Sequence, residues 1–98
     1  MRSQTEILDL IKANRETIKS FGVKEIGLFG SVCRGDNTEQ SDVDVLVVLE
    51  RETFDDYMGL LSFLELLFES KVDLVMKDSI KSIIRNRVLR ETIYVPGF

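Results

Sequence analysis

The chain has 98 residues, with 17 acidic and 13 basic side chains and a net charge of −4 at pH 7. Its 44% hydrophobic and 31% charged residues are ordinary for a globular protein, and the negative charge argues against non-specific nucleic-acid binding, which depends on cationic surface. Histidine is absent, which excludes Ser-His and Cys-His nucleophile systems and leaves carboxylates, lysines and metal ions for any catalysis.

The length limits how the chain can be organised. Residues 1–98 are enough for one domain with its own core, and we expect a single domain without a second lobe. We find no apolar run of membrane-spanning length and no basic segment followed by an apolar one, so we expect neither a membrane helix nor a signal peptide. The lone Cys33 cannot form an internal disulfide, which agrees with a reducing cytoplasm.

Hydrophobic periodicity predicts alternating helices and strands. A capping-box pattern from Ser3 to Glu6 begins the first helix, and Asp78-Ser79 is expected to cap the last one. The pattern indicates an α/β (α+β) fold with a mixed sheet of three or four strands flanked by helices. The expected helices are 3–20, 54–68 and 78–89, the strands are 24–29, 42–50, 71–76 and 93–95, and a short turn at 31–34 precedes a polar loop at 36–40.

A polar loop separates the first two strands, with Gly30-Ser31 at its start and Asp42 and Asp44 at its end. Side chains two apart on a strand point to the same face, so both carboxylates are expected on one side. Adjacent carboxylates repel, and burial adds to the cost unless a cation is present; Mg²⁺ is typical where carboxylates are completed by substrate phosphates. A glycine and a serine after a strand can approach and hydrogen-bond a phosphate. Together these residues predict a nucleotide site with a metal.

Each of these residues also has a structural explanation. Asp42 could cap a turn, and Gly30 and Ser31 could form a turn and a helix N-cap. Arg34 could lie on the surface or could bind a nucleotide phosphate. Asp44 is harder to explain in this way, because it lies inside an otherwise apolar strand.

A third acidic residue, Asp73, lies between Val72 and Leu74 in the third predicted strand. A carboxylate buried in an apolar strand needs a partner. If this strand lies beside the second one, Asp73 reaches the same cluster; otherwise a salt bridge to Lys71 or Lys77 explains it. Since the first two aspartates already imply a metal, we favour the catalytic role.

Gly30-Ser31, followed ten residues later by Asp42-Val43-Asp44, resembles the signature of the polymerase-β-type nucleotidyltransferase superfamily. Arg34-Gly35 and Ser41 resemble the small subgroup of minimal nucleotidyltransferase (MNT) domains. The strong part of the match lies within 26–48, and the order of elements extends it over most of the chain.

The resemblance implies a catalytic mechanism in which a nucleoside monophosphate, taken to be AMP from ATP, is transferred to a hydroxyl. One or two Mg²⁺ ions would be held by Asp42 and Asp44, and Asp73 would share a metal and act as the base. The nucleotide would be bound by Gly30, Ser31 and Arg34.

The resemblance also implies a protein partner. Stand-alone MNT proteins are typically paired with a small helical HEPN toxin, and the MNT member is the antitoxin, in some cases by transferring AMP to a tyrosine of its partner. We therefore expect a hetero-oligomer in which this chain modifies a hydroxyl of a HEPN-type protein.

Two surface features could serve such a partner. On the helix 54–68, Met58 and Leu66 fall outside the apolar stripe, which fits either a contact surface or ordinary exposure. Residues 77–90 carry five basic side chains and one acidic one, Asp78, and this excess could face an acidic partner, RNA or solvent.

Two other functions stay open. One is a non-catalytic binding module that neutralises its partner by occlusion; the three aspartates argue against it, since a retired site needs no buried carboxylates. The other is a catalytic subunit that modifies RNA or a small molecule held by a separate subunit. RNA is disfavoured by the net negative charge.

Overall fold

A computed structural model describes residues 2–36, 38 and 41–98. Residues 37, 39 and 40 of the predicted polar loop therefore lie outside the described residues. In chain order the elements are α1 (Gln4–Ala13), α2 (Arg15–Lys19), β1 (Val23–Phe29), α3 (Gly30–Arg34), β2 (Val43–Leu49), α4 (Phe54–Phe68), β3 (Val72–Met76), a 3-10 turn (Lys77–Ser79), α5 (Ser82–Glu91) and β4 (Ile93–Tyr94).

The strands form one mixed sheet in the order β3-β2-β1-β4. β1 runs antiparallel to both β2 and β4, whereas β2 and β3 are parallel. A parallel pair needs a crossover connection, and α4 supplies it. The sheet confirms the predicted α+β fold.

The two faces of β2 differ in their environment. On one face, alternate residues of β2 pack in a hydrophobic cluster with side chains of α1, α2 and α4. The β2 residues in this cluster are Val43, Val45, Val47 and Leu49. The opposite face, here called the carboxylate face, carries Asp44, Leu46 and Val48. Leu46 is buried, but Asp44 and Val48 are only half-buried. β2 is therefore covered fully on the core side and only partly on the carboxylate face.

The beginnings of α1 and α4 follow their sequence patterns. Ser3 Oγ accepts from the Glu6 amide at 3.2 Å, and Glu6 Oε1 accepts from the Ser3 amide at 3.3 Å, which completes the capping box. Thr53 Oγ1 accepts from the Asp56 amide at 3.2 Å. These bonds satisfy amides that the helix itself leaves free.

The first predicted helix is interrupted, so its continuity was wrong. Asn14 takes a non-helical conformation between α1 and α2, with φ −112° and ψ 23°. Its side-chain Nδ2 donates to the Leu10 carbonyl at 2.9 Å. Asparagine offers the backbone a local alternative to the helix ladder, which explains the break.

The predicted cap at Asp78-Ser79 was also wrong. These residues belong to the 3-10 turn, Ile80 is extended, and α5 begins only at Ser82 without a side-chain cap. Arg85 Nη1 of α5 donates to the Lys77 carbonyl at 2.7 Å. This hydrogen bond fixes the 3-10 turn against α5, although the two elements are not continuous.

The chain after α5 returns along β1. The strand predicted at 93–95 is present as the edge strand β4, which pairs with Gly27 and Leu28. A Cβ built on Gly27 would stand 2.7 Å from Thr92 Cγ2, so the residue that follows α5 packs directly over Gly27. No residue of α5 is buried. Among the described residues, no helix is both long and apolar enough to cross a membrane.

Candidate active site

The parallel pairing of β2 and β3 brings two predicted site residues together. Asp44 lies directly opposite Asp73, and Phe29 at the end of β1 pairs with Asp44 from the other side. Paired residues of neighbouring strands project to the same face, so both carboxylates lie on the carboxylate face. Asp42 precedes β2 by one residue. The third strand thus lies beside the second, which was the condition for Asp73 to join the cluster.

The expectation that Asp73 is buried was wrong. Its neighbours Val72 and Leu74 are buried, but Asp73 itself is exposed. β3 is an edge strand, and the carboxylate face is only partly covered, so the carboxylate keeps its contact with water. The alternative salt bridge to Lys77 is not made either, because Lys77 Nζ pairs with Glu25 at 3.3 Å.

Asp44 carries the electrostatic consequence of this arrangement. Its partial burial, followed by the negative charges of Asp73 and Asp42, raises the pKa of Asp44 from its ordinary value to about 6, while the positive charge of Arg34 lowers it. Burial and like charges both disfavour the ionised carboxylate. The carboxylate face therefore has an excess of negative charge around Asp44.

Two features favour glycine at position 30: its backbone conformation and its close contact with Asp44. Its φ of +74° lies in the left-handed region that favours glycine, and a Cβ built there would stand 2.8 Å from Asp44 Cγ and closer still to Oδ2. α3 begins at Gly30, and Phe29 occupies its N-cap. Ser31 is thus inside α3, so the alternative in which Ser31 is the N-cap does not hold.

Arg34, the last residue of α3, lies at the border of the acidic cluster. Its guanidinium pairs with Asp36 at 3.2 Å and with Glu91 of α5 at 3.6 Å. The hydrogen bond to Asp36 and its charge raise the pKa of Arg34, with smaller contributions from Glu91 and Asp44. Glu91 was missed by sequence reasoning, since nothing in its local pattern relates it to a residue 57 positions away.

The donor set around Asp44 fits a hard divalent cation with open positions. Within residues 2–36, 38 and 41–98, no three acidic, histidine or cysteine side chains are gathered closely enough to hold an ion by themselves. In the same residues Asp42, Asp44 and Asp73 form no ion pair. Carboxylate oxygens with unbalanced charge suit Mg²⁺, which commonly takes one or two carboxylates and completes its shell with water and substrate phosphates.

A cleft of about 440 Å³ opens near the start of β2, but it is not the predicted site. Its lining includes Val43, Phe68 and the ion-paired Arg2 and Glu69, and none of the three aspartates contributes. The cleft is therefore set apart from the carboxylate pair.

The site thus consists of adjacent strand carboxylates beside a glycine that begins a short helix, on the partly covered face of a mixed sheet. A sequence profile described as "Nucleotidyltransferase domain" matches residues 9–95. The chain belongs to this nucleotidyltransferase family.

Individual relatives agree with the assignment. Protein adenylyltransferase MntA of Thermococcus cleftensis is 44% identical over 97 residues, which are 97% of this chain and 98% of that protein. A structure provisionally described as a minimal nucleotidyltransferase superposes with a TM-score of 0.71 at 37% identity, over 88% of this chain and 93% of that chain. A chain in the complex of a tri-AMPylated Shewanella oneidensis HEPN toxin with its MNT antitoxin superposes with a TM-score of 0.58 at 22% identity, over 97% and 70% of the two chains. This last likeness shows the fold.

Proposed function

We propose that this chain is a Mg²⁺-dependent adenylyltransferase that moves AMP from ATP to a hydroxyl of a HEPN-type partner protein and thereby acts as an antitoxin. The observation that carries the proposal is Asp44, which lies opposite Asp73, beside Asp42 and against Gly30. The reaction is supported by the 44% identical relative, whose name is protein adenylyltransferase. The choice of a HEPN-type partner is supported by the complex of a HEPN toxin with an MNT antitoxin, one chain of which shares this fold.

Asp42 and Asp44, with Asp73 beside them, are the residues that would hold the cation. When bound, the cation neutralises negative charge on the reacting phosphates. The absence of a Cβ at Gly30 lets the Asp44 carboxylate lie against the backbone at the start of α3. The Ser31 hydroxyl and the Arg34 guanidinium bind nucleotide phosphates, and Arg34 exchanges its contact with the exposed Asp36 for them while it keeps its pair with Glu91.

Asp73 takes the proton in this scheme. Its exposure on an edge strand lets an acceptor hydroxyl from another molecule reach it. The hydroxyl oxygen forms a bond to the α-phosphorus of ATP, the bond to pyrophosphate breaks, and the hydroxyl proton passes to Asp73. The product is an AMP ester of the acceptor.

We further propose that residues 1–98 act as one minimal nucleotidyltransferase domain in a hetero-oligomer with the acceptor protein. A cytoplasmic location would keep Cys33 reduced.

The test is intact-mass spectrometry of the HEPN protein encoded by the same genome, produced together with this chain and incubated with Mg²⁺ and ATP. We expect the HEPN protein to gain the mass of AMP or a multiple of it. Asp44→Asn removes the negative charge that would hold the cation, so it should abolish the mass gain. Because the change is nearly isosteric, the fold should survive. Asp9→Asn makes the same chemical change at an exposed position of α1 and should leave the transfer unchanged.

Two results would contradict the proposal. One is a stable complex whose mass does not change with any nucleoside triphosphate, which would favour inhibition by occlusion. The other is normal transfer by a well-folded Asp44→Asn protein.

A further inference from the structure

We propose that the outward side of α5 docks the protein that accepts the nucleotide. This inference rests on the proposed function and assigns the surface on which the partner is seated. The α5 surface comprises Ile83, Ile84, Arg87 and Arg90. Residues spaced by three or four lie on the same side of a helix, so Ile83, Arg87 and Arg90 form one stripe.

The first observation is apolar exposure on a helix that contributes nothing to the core. Ile83 is 90% exposed, the highest value among the large apolar side chains of the described residues, and Ile84 is 46% exposed. Isoleucine is a weaker helix former than the long polar residues, so helix stability does not explain its presence on the outer side. An exposed apolar centre rimmed by charged side chains is typical of a protein contact surface.

The second observation is charge. Positions 77 to 91 carry five basic and two acidic residues, in a chain whose net charge is −4. Lys77 pairs with Glu25 at 3.3 Å and Arg85 with Asp78 at 4.0 Å, so neither adds free positive charge to the α5 surface. Arg87 pairs within its own helix with Glu91 at 3.4 Å, and Arg90 forms no ion pair among the described residues. Lys81, the residue before α5, likewise forms no ion pair among the described residues, so Arg90 and Lys81 leave positive charge at the two ends of the helix. Such charge attracts and orients an acidic surface.

The third observation is continuity with the candidate active site. Glu91 at the end of α5 pairs with Arg34 at 3.6 Å, and its carbonyl accepts from Cys33 Sγ at 3.1 Å. Arg34 in turn is close enough to Asp44 for each charge to influence the other. A protein seated on the α5 surface would therefore hold its acceptor hydroxyl beside the carboxylate face.

The exposed apolar side chains of α4 belong to a helix on the other face of the sheet. Phe54 is 76% exposed and Leu66 is 79% exposed, but their helix packs on the core side of the sheet, opposite the carboxylate face. The exposed α4 residues therefore serve as the comparison in the test.

An acidic protein fits the α5 surface better than RNA does. Single-stranded RNA is bound by basic grooves with aromatic side chains on which bases stack, whereas this helix presents isoleucines and no aromatic residue. The net charge of −4 also opposes binding of a polyanion.

The experiment compares Ile83→Asp with Leu66→Asp, which make the same change at similarly exposed positions on opposite sides of the sheet. Isothermal titration calorimetry would measure the affinity of each variant for the HEPN protein encoded by the same genome, with circular dichroism as the check on folding. We expect Ile83→Asp to weaken binding by at least about tenfold, as for a contact near an interface centre, and Leu66→Asp to leave it unchanged. Arg87→Glu is a second variant and should weaken binding while reducing its dependence on salt.

The outcomes separate this proposal from the proposed function. If wild type and Ile83→Asp bind and adenylylate the HEPN protein equally well, the docking proposal is wrong and the function stands. If wild-type protein neither binds nor modifies it, both proposals fail. The docking proposal is also overturned if Ile83→Asp abolishes only self-association in sedimentation velocity, or if Arg87→Glu abolishes only the gel shift of an RNA oligonucleotide.

Discussion

Gly30 and Gly35 share a backbone conformation but differ in what surrounds them. Their φ angles are +74° and +80°, yet a Cβ on Gly35 would meet nothing within 4 Å, whereas one on Gly30 would overlap Asp44. Substitutions at these two glycines therefore distinguish the effect of backbone strain from the effect of displacing the Asp44 side chain.

We expect Gly35→Ala to lower the free energy of unfolding by about 1–2 kcal/mol, the usual cost of a left-handed residue with a Cβ. Gly30→Ala should cost more, and it should also reduce AMP transfer by about 10²-fold because Asp44 must move. Urea unfolding and the mass assay measure the two effects. Equal effects of the two substitutions on transfer would show that the contact between Gly30 and Asp44 is not needed.

The pKa of Asp44 predicts how stability depends on pH. In the folded protein the pKa of Asp44 is about 6, above its ordinary value of 3.8. Between these two pH values the folded protein therefore keeps a proton on Asp44 that the unfolded chain has lost. The stability contributed by this proton is complete below the unfolded pKa and is lost as the pH rises through about 6.

Asp44→Asn should remove this loss of stability at high pH, because asparagine does not ionise. In the presence of a chelator, the variant should melt above wild type at about pH 8 and close to wild type at about pH 4. Added Mg²⁺ should raise the melting temperature of wild type more than that of the variant, because it offsets the repulsion among the carboxylates. If the difference in melting temperature between the variant and wild type is the same at both pH values, Asp44 has an ordinary pKa.

At the scale of elements, α4 shows how far a hydrophobic pattern alone determines packing. Helical periodicity predicted its apolar stripe, and Leu60, Leu64 and Phe68 are buried accordingly. The same periodicity placed Met58 and Leu66 outside the stripe, and they are 38% and 79% exposed. The breaks at Asn14 and Ile80 were not predicted, because side-chain bonds to distant or preceding carbonyls decide them.

Leu64→Ala and Leu66→Ala make the same change two residues apart in α4. We expect Leu64→Ala to destabilise the protein by about 2–5 kcal/mol through loss of buried surface and the cavity left behind. Leu66→Ala should stay within about 0.5 kcal/mol of wild type. Chemical denaturation of both variants measures the difference, and similar values would place Leu66 in the core.

At the scale of the whole molecule, one topology creates both the candidate site and its proposed docking surface. The α4 crossover makes β2 and β3 parallel neighbours and so places Asp44 beside Asp73. The antiparallel return of β4 along β1 brings the end of α5 against α3, where Glu91 meets Arg34. Negative charge around Asp44 and positive charge on α5 therefore lie at neighbouring borders of the sheet.

Residues 26–48 were enough to predict the nucleotidyltransferase family and the candidates Gly30, Ser31, Asp42 and Asp44, because these side chains are close in the chain and their spacing carries the information. Only the tertiary structure decided that Asp73 is exposed, that Gly30 touches Asp44, and that Arg34 pairs with Glu91. Whether a strand carboxylate is buried depends on what covers its face of the sheet. That covering comes from distant parts of the chain, which no local pattern encodes.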